Sequence, residues 1–272
     1  MKERVIILAE GGACGNFIAT LLQTFHVPNI LDSLEMPDNG SMDQTAGIGS
    51  LTYKYFIIEK KFSIYPEHAE GAMDLVMNAF NNPADTYKRY QSDYEKEFQE
   101  IHVIHYQRPE NINKFLSLTN TKVIFVRYDP EDSKRIAVNK ISKTFSIHRG
   151  ESIVTKEFFK VVKNQYGALL DRAELTESAN KLRSLDEFSD VSKDKELINA
   201  LIVAWQKYIS VRQQFCSPSP HENLTILNFN DLYFNKEAII QSLSEFTNLP
   251  INNGIQILYN KYLLKQPNIT LY

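Results

Sequence analysis

The residues best suited to chemistry lie in a short segment near the amino terminus. An apolar run over residues 5–9 ends at Glu10, and an apolar-periodic segment begins at Phe17. The loop between them consists of small or short polar residues: Gly11, Gly12, Ala13, Cys14, Gly15 and Asn16. This order predicts a strand, a glycine loop and a helix. The backbone N–H groups of such a loop and the positive end of the helix dipole favour an anion, so we expect a phosphate or sulfate group here.

The loop differs from the phosphate-binding loop of ordinary kinases and ATPases. No Lys followed by Ser or Thr comes after Gly15, so the usual partners of a transferable phosphate and its magnesium ion are missing. Kinase chemistry is therefore disfavoured. A tight strand–helix connection is the plainer alternative for the glycines. For Cys14 we favour packing over a nucleophilic role, because no histidine stands beside it in the sequence.

Strand and helix patterns separate along the chain in a way that predicts an α/β fold. Short β-rich runs occur at residues 54–58, 101–106, 122–126 and 224–228. Helical patterns cover residues 69–80, 84–94, 110–118, 236–247 and 253–264. Residues 131–214 are mostly helical with a polar break at 184–192, and residues 28–52 have the composition of a long loop. Strands separated by helices predict a three-layer fold, a parallel sheet with helices on both faces.

Two more candidate residues follow strands of this sheet. His105 stands at the end of the run that begins at Ile101, and Arg127 directly follows residues 122–126. Because ligands of parallel sheets bind beyond the carboxyl ends of the strands, we expect both side chains and the glycine loop at one crevice. His105 alone is equally consistent with a structural histidine at the rim. For Arg127 the alternative is a local ion pair with Asp129 or Asp132.

Composition limits the partners. The chain has 272 residues, of which 43% are hydrophobic and 23% charged, which is enough to form a full core in one domain over residues 1–272. A net charge of -3 and a pI near 6.1 give no overall field for nucleic acid or an anionic membrane. We therefore expect a small partner bound by local groups, and neither nucleic acid nor a membrane.

The cysteine count and the absence of long apolar windows indicate the compartment. Only Cys14 and Cys216 occur, far apart and outside any Cys/His cluster, so neither a disulfide framework nor a zinc site is predicted. The first residues lead directly into a short strand without a signal-peptide pattern, and no window is long enough to span a membrane. These features favour a cytoplasmic protein that uses no metal.

The order of these motifs resembles the sulfotransferases, P-loop proteins that move a sulfonate group from 3′-phosphoadenylyl sulfate (PAPS) to a hydroxyl or amine. Residues 12–16 are similar to the family's phosphosulfate loop. The segment 103–109 around His105 resembles the element that carries the catalytic base. Residues 123–132 resemble the element whose arginine binds the 3′-phosphate, and Arg127 matches that arginine. Residues 227–232 and 244–249 echo the late strand and helix of the family.

This resemblance implies a P-loop NTPase-like sulfotransferase fold, PAPS as co-substrate and a small-molecule or carbohydrate acceptor. His105 would act as general base, and residues 11–16 would bind the 5′-phosphosulfate. Arg127 would bind the 3′-phosphate. The serine that the family uses beside that phosphate falls near Ile136, and its nearest substitutes are Ser133, Lys134, Arg135 and Asn139.

The chain departs from the family pattern in the loop. The lysine that usually stabilises the departing phosphate oxygen is replaced by Ala13. Lys54, Arg108 and Arg149 are candidate substitutes, and a cation that reaches the loop from elsewhere would favour catalysis. Without one, the alternative is a catalytically relaxed member of the fold that binds a nucleotide or serves as an interaction module. Glu10, an anion beside the loop, favours that alternative.

Overall fold

The computed structural model describes residues 4–26, 52–53, 100–104, 109–146, 156–213 and 218–264. The strand predicted at 54–58, the helices predicted at 69–80 and 84–94, and nearly all of the loop predicted at 28–52 lie outside these ranges.

The described strands form one parallel sheet. They are β1 (Arg4–Leu8), β2 (Thr52–Tyr53), β3 (Glu100–Ile104), β4 (Thr121–Arg127) and β5 (Leu224–Asn228). Their order across the sheet is β2-β3-β1-β4-β5, and every neighbouring pair is parallel. The predicted α/β class and parallel sheet are therefore confirmed, and β5 has the predicted bounds.

The described residues divide into two compact units. The first contains residues of the ranges 4–10, 14–127 and 218–264, and the second contains residues 11–13 and those of the range 128–213. The first unit holds the whole sheet. The prediction of a single domain over residues 1–272 stays a prediction.

The first unit also holds helices that pack on or near the sheet. They are α1 (Gly15–His26), α2 (Pro109–Leu116), a short α8 (Asp231–Phe234), α9 (Lys236–Thr247) and α10 (Asn253–Leu264). Helix α1 contacts β1 and β3, α2 contacts β4, and α9 contacts β5. The predicted bounds of α9 and α10 are confirmed.

The middle strands of the sheet are buried on both faces. Residues 5–8 of β1 and residues 123–126 of β4 have no exposed surface. Because successive side chains of a strand point to opposite faces, both faces of these strands are covered. This agrees with the continuous apolar sequences of the two strands. A strand with one exposed face would alternate polar and apolar residues.

Helix α9 ends for a local reason. Asn248 follows it with φ 60°, the left-handed conformation that asparagine tolerates better than most residues. Its N–H bonds to the carbonyl of Ser244, whose hydroxyl donates to the carbonyl of Leu249 at 2.6 Å. The last turn is thus closed before the chain enters α10.

The second unit is helical. It contains a 3-10 turn (Pro130–Asp132) and five described helices: α3 (Ser133–Ser146), α4 (Lys156–Arg172), α5 (Thr176–Ser184), α6 (Phe188–Lys193) and α7 (Lys195–Gln213). The helical pattern predicted for this part is confirmed. The polar break predicted at 184–192 is confirmed only for residues 185–187, because α5 and α6 occupy the rest of it.

Aromatic side chains form the centre of the second unit. The ring of Tyr166 lies 5.5 Å from that of Phe145 and 6.1 Å from that of Trp205 between centroids. The hydroxyl of Tyr166 is 3.2 Å from that of Thr144. Burial raises the pKa of Tyr166 to about 12, because the phenolate would have to exist without water.

None of the helices described in the structure is long and apolar enough to cross a membrane.

Candidate functional site

The glycine loop lies at the carboxyl end of the strand in the middle of the sheet. Strand β1 pairs with β3 on one side and with β4 on the other, and Leu8 is in register with Ile104 and Phe125. The loop follows directly, and α1 begins at Gly15. The predicted order of strand, loop and helix is therefore confirmed. Because strand order changes direction at β1, this loop occupies the position at which open parallel sheets bind ligands.

Two loop residues have unusual backbone conformations. Gly12 has φ 101° and Cys14 has φ 64°. The carbonyl of Cys14 accepts the N–H of Ile18 at 3.1 Å, so Cys14 holds the capping position of α1. Such left-handed residues reverse the chain sharply between strand and helix. Asn16 lies within α1, and its side chain is outside the described part of the structure.

Gly12 packs against the backbone of α3. A Cβ atom at this position would overlap the carbonyl oxygen of Ile136 and lie 3.0 Å from the nitrogen of Lys140. Nδ2 of Asn139 donates to the carbonyl oxygen of Gly12 at 3.2 Å. The glycine is therefore needed for close approach of two backbones as well as for its conformation. Asn139, considered from the sequence as a phosphate ligand, holds the loop through its bond to Gly12.

Lys140 brings a cation to the loop. A Cβ atom added to Gly11 would lie 3.2 Å from Cδ, Cε and Nζ of Lys140. The outer half of the lysine side chain thus runs along the loop at Gly11. Its Nζ also lies 5.6 Å from the ring centroid of Trp205, within cation–π distance.

The remaining loop positions are largely enclosed. Ala13 has no exposed surface, and Glu10 is 2% exposed. Sγ of Cys14 lies 3.5 Å from the hydroxyl oxygen of Tyr233 in α8. These contacts favour the packing role expected for Cys14.

Arg127 ends β4 as predicted and is fixed by the neighbouring strand. Its Nε and Nη2 donate to Oδ1 of Asn228 at 3.1 and 2.8 Å. Nδ2 of Asn228 in turn donates to Oδ2 of Asp231 at 2.9 Å. Among the described residues Arg127 forms no ion pair with Asp129 or Asp132, so the local alternative considered from the sequence is not what the structure contains. The guanidinium is exposed, charged and held at the carboxyl edge of the sheet.

The segment after Arg127 starts a helix. Oδ2 of Asp132 accepts the N–H of Asp129 at 3.2 Å, and the hydroxyl of Ser133 donates to the carbonyl of Pro130 at 2.6 Å. Burial raises the pKa of Asp132, against the lowering effect of the Asp129 hydrogen bond and of the nearby Arg135. Ser133 is thus used locally, and Arg135 lies half-buried on α3.

Several candidates lie outside the described residues. Strand β3 ends at Ile104, and His105, the next residue, is one of them. Lys54, Arg108 and Arg149, considered as replacements for the loop lysine, are the others.

Sequence reasoning missed Lys140. Its contact with Gly11 joins segments that are far apart in the chain, and no motif marks it. The sequence feature that could have indicated it is helical spacing. Positions three and four residues apart share one face of a helix, which on α3 applies to Ile136, Asn139 and Lys140. That face meets the loop.

Comparison with known proteins adds no relative, because no protein-family model, curated protein or solved structure matches the chain. The described residues contain no group of three or more His, Cys, Asp or Glu side chains placed to hold a metal ion.

Proposed function

We propose that the protein is a sulfotransferase that moves a sulfonate group from PAPS to a hydroxyl or amine of a small-molecule or carbohydrate acceptor. The proposal includes the finer architecture, a three-layer P-loop NTPase-like sulfotransferase fold with helices on both faces of the sheet. The observation that carries it is the glycine loop, which turns through left-handed Gly12 and Cys14 at the carboxyl end of the central strand and opens α1.

In this proposal the loop binds the 5′-phosphosulfate of PAPS. Backbone N–H groups of residues 11–16 and the amino-terminal end of α1 supply the donors. Arg127, at the end of β4, offers the 3′-phosphate those guanidinium N–H groups that do not donate to Asn228. Arg135 is the second cation assigned to that phosphate.

His105 is the proposed general base. It would accept the proton of the acceptor hydroxyl while the acceptor oxygen attacks sulfur in line with the departing phosphate oxygen. The products are the sulfated acceptor, 3′-phosphoadenosine 5′-phosphate (PAP) and a protonated His105. The ordinary pKa of histidine, about 6.5, suits a base that works near neutral pH.

Isothermal titration with PAP, ATP and AMP tests the proposal. We expect PAP to bind selectively, and Arg127→Ala to weaken it by about 10- to 100-fold, the scale of a charge-assisted contact. Arg172→Ala, which removes an exposed arginine at the end of α4, is the matched control and should leave PAP affinity unchanged. Equal binding of the three nucleotides, or none, would contradict the proposal.

A second candidate is a nucleotide-binding or interaction module of the same fold without catalysis. The observation that favours it is Ala13, a fully buried residue where the family has its lysine. This candidate would be supported over the enzyme if the protein binds PAP selectively and yet does not consume PAPS. The PAPS assay would use a high protein concentration and varied acceptors.

A further inference from the structure

The loop has no lysine of its own, but the structure brings one to it from α3. Lys140 reaches Gly11 with its last two carbons and its ammonium, each 3.2 Å from the position of an added Cβ atom. No motif within the loop predicts this contact, since Lys140 belongs to α3, the helix that follows β4.

The place of Lys140 is fixed on both sides. Its backbone nitrogen lies close to Gly12, 3.0 Å from the position of an added Cβ atom. The preceding residue, Asn139, donates to the Gly12 carbonyl at 3.2 Å. On the other side Nζ lies over the ring of Trp205, which is 3% exposed. A cation–π contact orients an ammonium and leaves its positive charge intact. Contacts with Gly12 on one side and Trp205 on the other thus direct the lysine at the loop.

We propose that Lys140 is a catalytic residue that stabilises the leaving group of sulfonate transfer, in place of the lysine that Ala13 replaces. This inference rests on the proposed function. During transfer a bond forms between the acceptor oxygen and sulfur, and the bond between sulfur and the bridging phosphate oxygen breaks. The electron pair of that bond stays on the phosphate oxygen, and the acceptor proton goes to His105. Lys140 donates to the oxygen on which the charge grows.

Trp205 is a positioning residue in this arrangement. It does not touch the donor, and it keeps the ammonium of Lys140 close to Gly11 at 5.6 Å from its own ring centroid. Removing the ring should let the lysine leave the loop without removing its charge.

The test compares Lys140→Met, which keeps a long apolar side chain, with Lys140→Arg, which keeps the charge. Lys207→Met is the matched control, since Lys207 is an exposed lysine on α7, the helix of Trp205. For each variant we would measure PAP affinity by titration, the formation of PAP from PAPS with and without acceptor alcohols, and the melting temperature.

We expect Lys140→Met to slow PAP formation by about 100-fold or more, the scale of a lost oxyanion donor. Affinity for PAP should fall by much less, because the interaction is strongest where charge develops. Lys140→Arg should recover most of the rate, and Lys207→Met should match the wild type. If the role of Lys140 were purely structural, Lys140→Met would have a lower melting temperature. Lys140→Arg would then not recover the rate of PAP formation without also recovering the melting temperature.

The failures are distinguishable. If the wild type binds PAP selectively and Lys140→Met forms PAP at the wild-type rate, the role of Lys140 is wrong and the proposed function stands. Selective PAP binding by a wild type that forms no PAP also overturns the catalytic role. If the wild type does not select PAP, the proposed function fails, and the role of Lys140 fails with it.

Discussion

Arg127 and Asn228 stand opposite each other in the register of β4 and β5 and are joined side chain to side chain. Nε and Nη2 of the arginine both donate to one oxygen of the asparagine, and the asparagine amide donates to Asp231. An exposed arginine ordinarily samples many rotamers. Here two neighbouring strands limit its freedom and hold its charge at the carboxyl edge of the sheet.

Asn228→Ala should therefore weaken PAP binding even though Asn228 is not assigned a contact with the nucleotide. Ordering a long side chain costs about 0.5–1.5 kcal/mol on binding, which corresponds to a loss of about 2- to 12-fold. Titration with PAP measures it. In the Arg127→Ala background the same substitution should have no further effect. An equal loss in both backgrounds would mean that Asn228 does not act through Arg127.

Gly12→Ala should destabilise the protein much more than Gly11→Ala. At position 12 the new methyl group would overlap the Ile136 carbonyl, and φ 101° is unfavourable for any L side chain. Together these effects should lower the free energy of unfolding by at least about 2 kcal/mol. Chemical denaturation measures both variants.

Gly11→Ala is the matched control for that change. The three atoms nearest to the added methyl group all belong to the outer end of the Lys140 side chain, which can move aside. We expect stability close to that of the wild type, together with slower PAP formation from PAPS if Lys140 acts as proposed. Similar destabilisation at positions 11 and 12 would contradict the packing of Gly12 on α3.

Substitutions at Cys14 should follow the cost of its left-handed backbone. Cys14 has φ 64°, which glycine adopts without strain, so Cys14→Gly removes the backbone cost. The same change loses the contact with Tyr233, and because the two effects oppose each other the free energy of unfolding should change by less than about 1 kcal/mol. Cys14→Val places a β-branched side chain in the same conformation and should lower it by more than about 1 kcal/mol. Thermal or chemical unfolding of both variants gives the order. A valine variant as stable as the glycine variant would contradict it.

Tyr166 should make the protein sensitive to alkaline pH. Its pKa is about 12 in the folded state and near 10 in the unfolded chain, so between these values the unfolded state has lost a proton that the folded state still binds. This contribution to stability is complete below pH 10 and decreases as pH rises toward 12, by about 1.4 kcal/mol per pH unit. Denaturation at several pH values measures the slope.

Tyr166→Phe should reduce the fall of stability with rising pH by up to about 1.4 kcal/mol per pH unit, the effect of one proton. At neutral pH the variant lacks the hydrogen bond to Thr144, so its free energy of unfolding should be lower by about 1 kcal/mol. The loss stays small because the Thr144 hydroxyl still donates to the Lys140 carbonyl at 2.8 Å. An unchanged alkaline slope would show that another group is responsible.

Local pattern was enough to predict much of the fold. The strand at residues 224–228 and the helices at 236–247 and 253–264 have the predicted bounds, because each has a clear apolar period and turn residues at its ends. Pro130 and its acidic neighbours form a 3-10 turn, and α3 begins directly after it at Ser133.

The candidate site could be predicted only as far as single segments allow. The loop and Arg127 lie where their strands end, and the sequence predicts both because each follows an apolar run. The contacts of Lys140 with Gly11, Asn139 with Gly12 and Asn228 with Arg127 join distant segments. No periodicity encodes such pairs, which depend on how helices and strands pack.

The first strand of the chain is also the middle strand of the sheet. Arg4 pairs with Glu100 on one side and Thr121 on the other, so the described partners of β1 both lie far along the chain from it. During synthesis an apolar β1 must remain without these partners while the chain lengthens. Contacts between distant residues close slowly, because the entropy of the intervening loop is lost before pairing compensates for it. The pairing that places the loop at the middle of the sheet thus consists of contacts between distant residues, which we expect to slow the folding of the sheet.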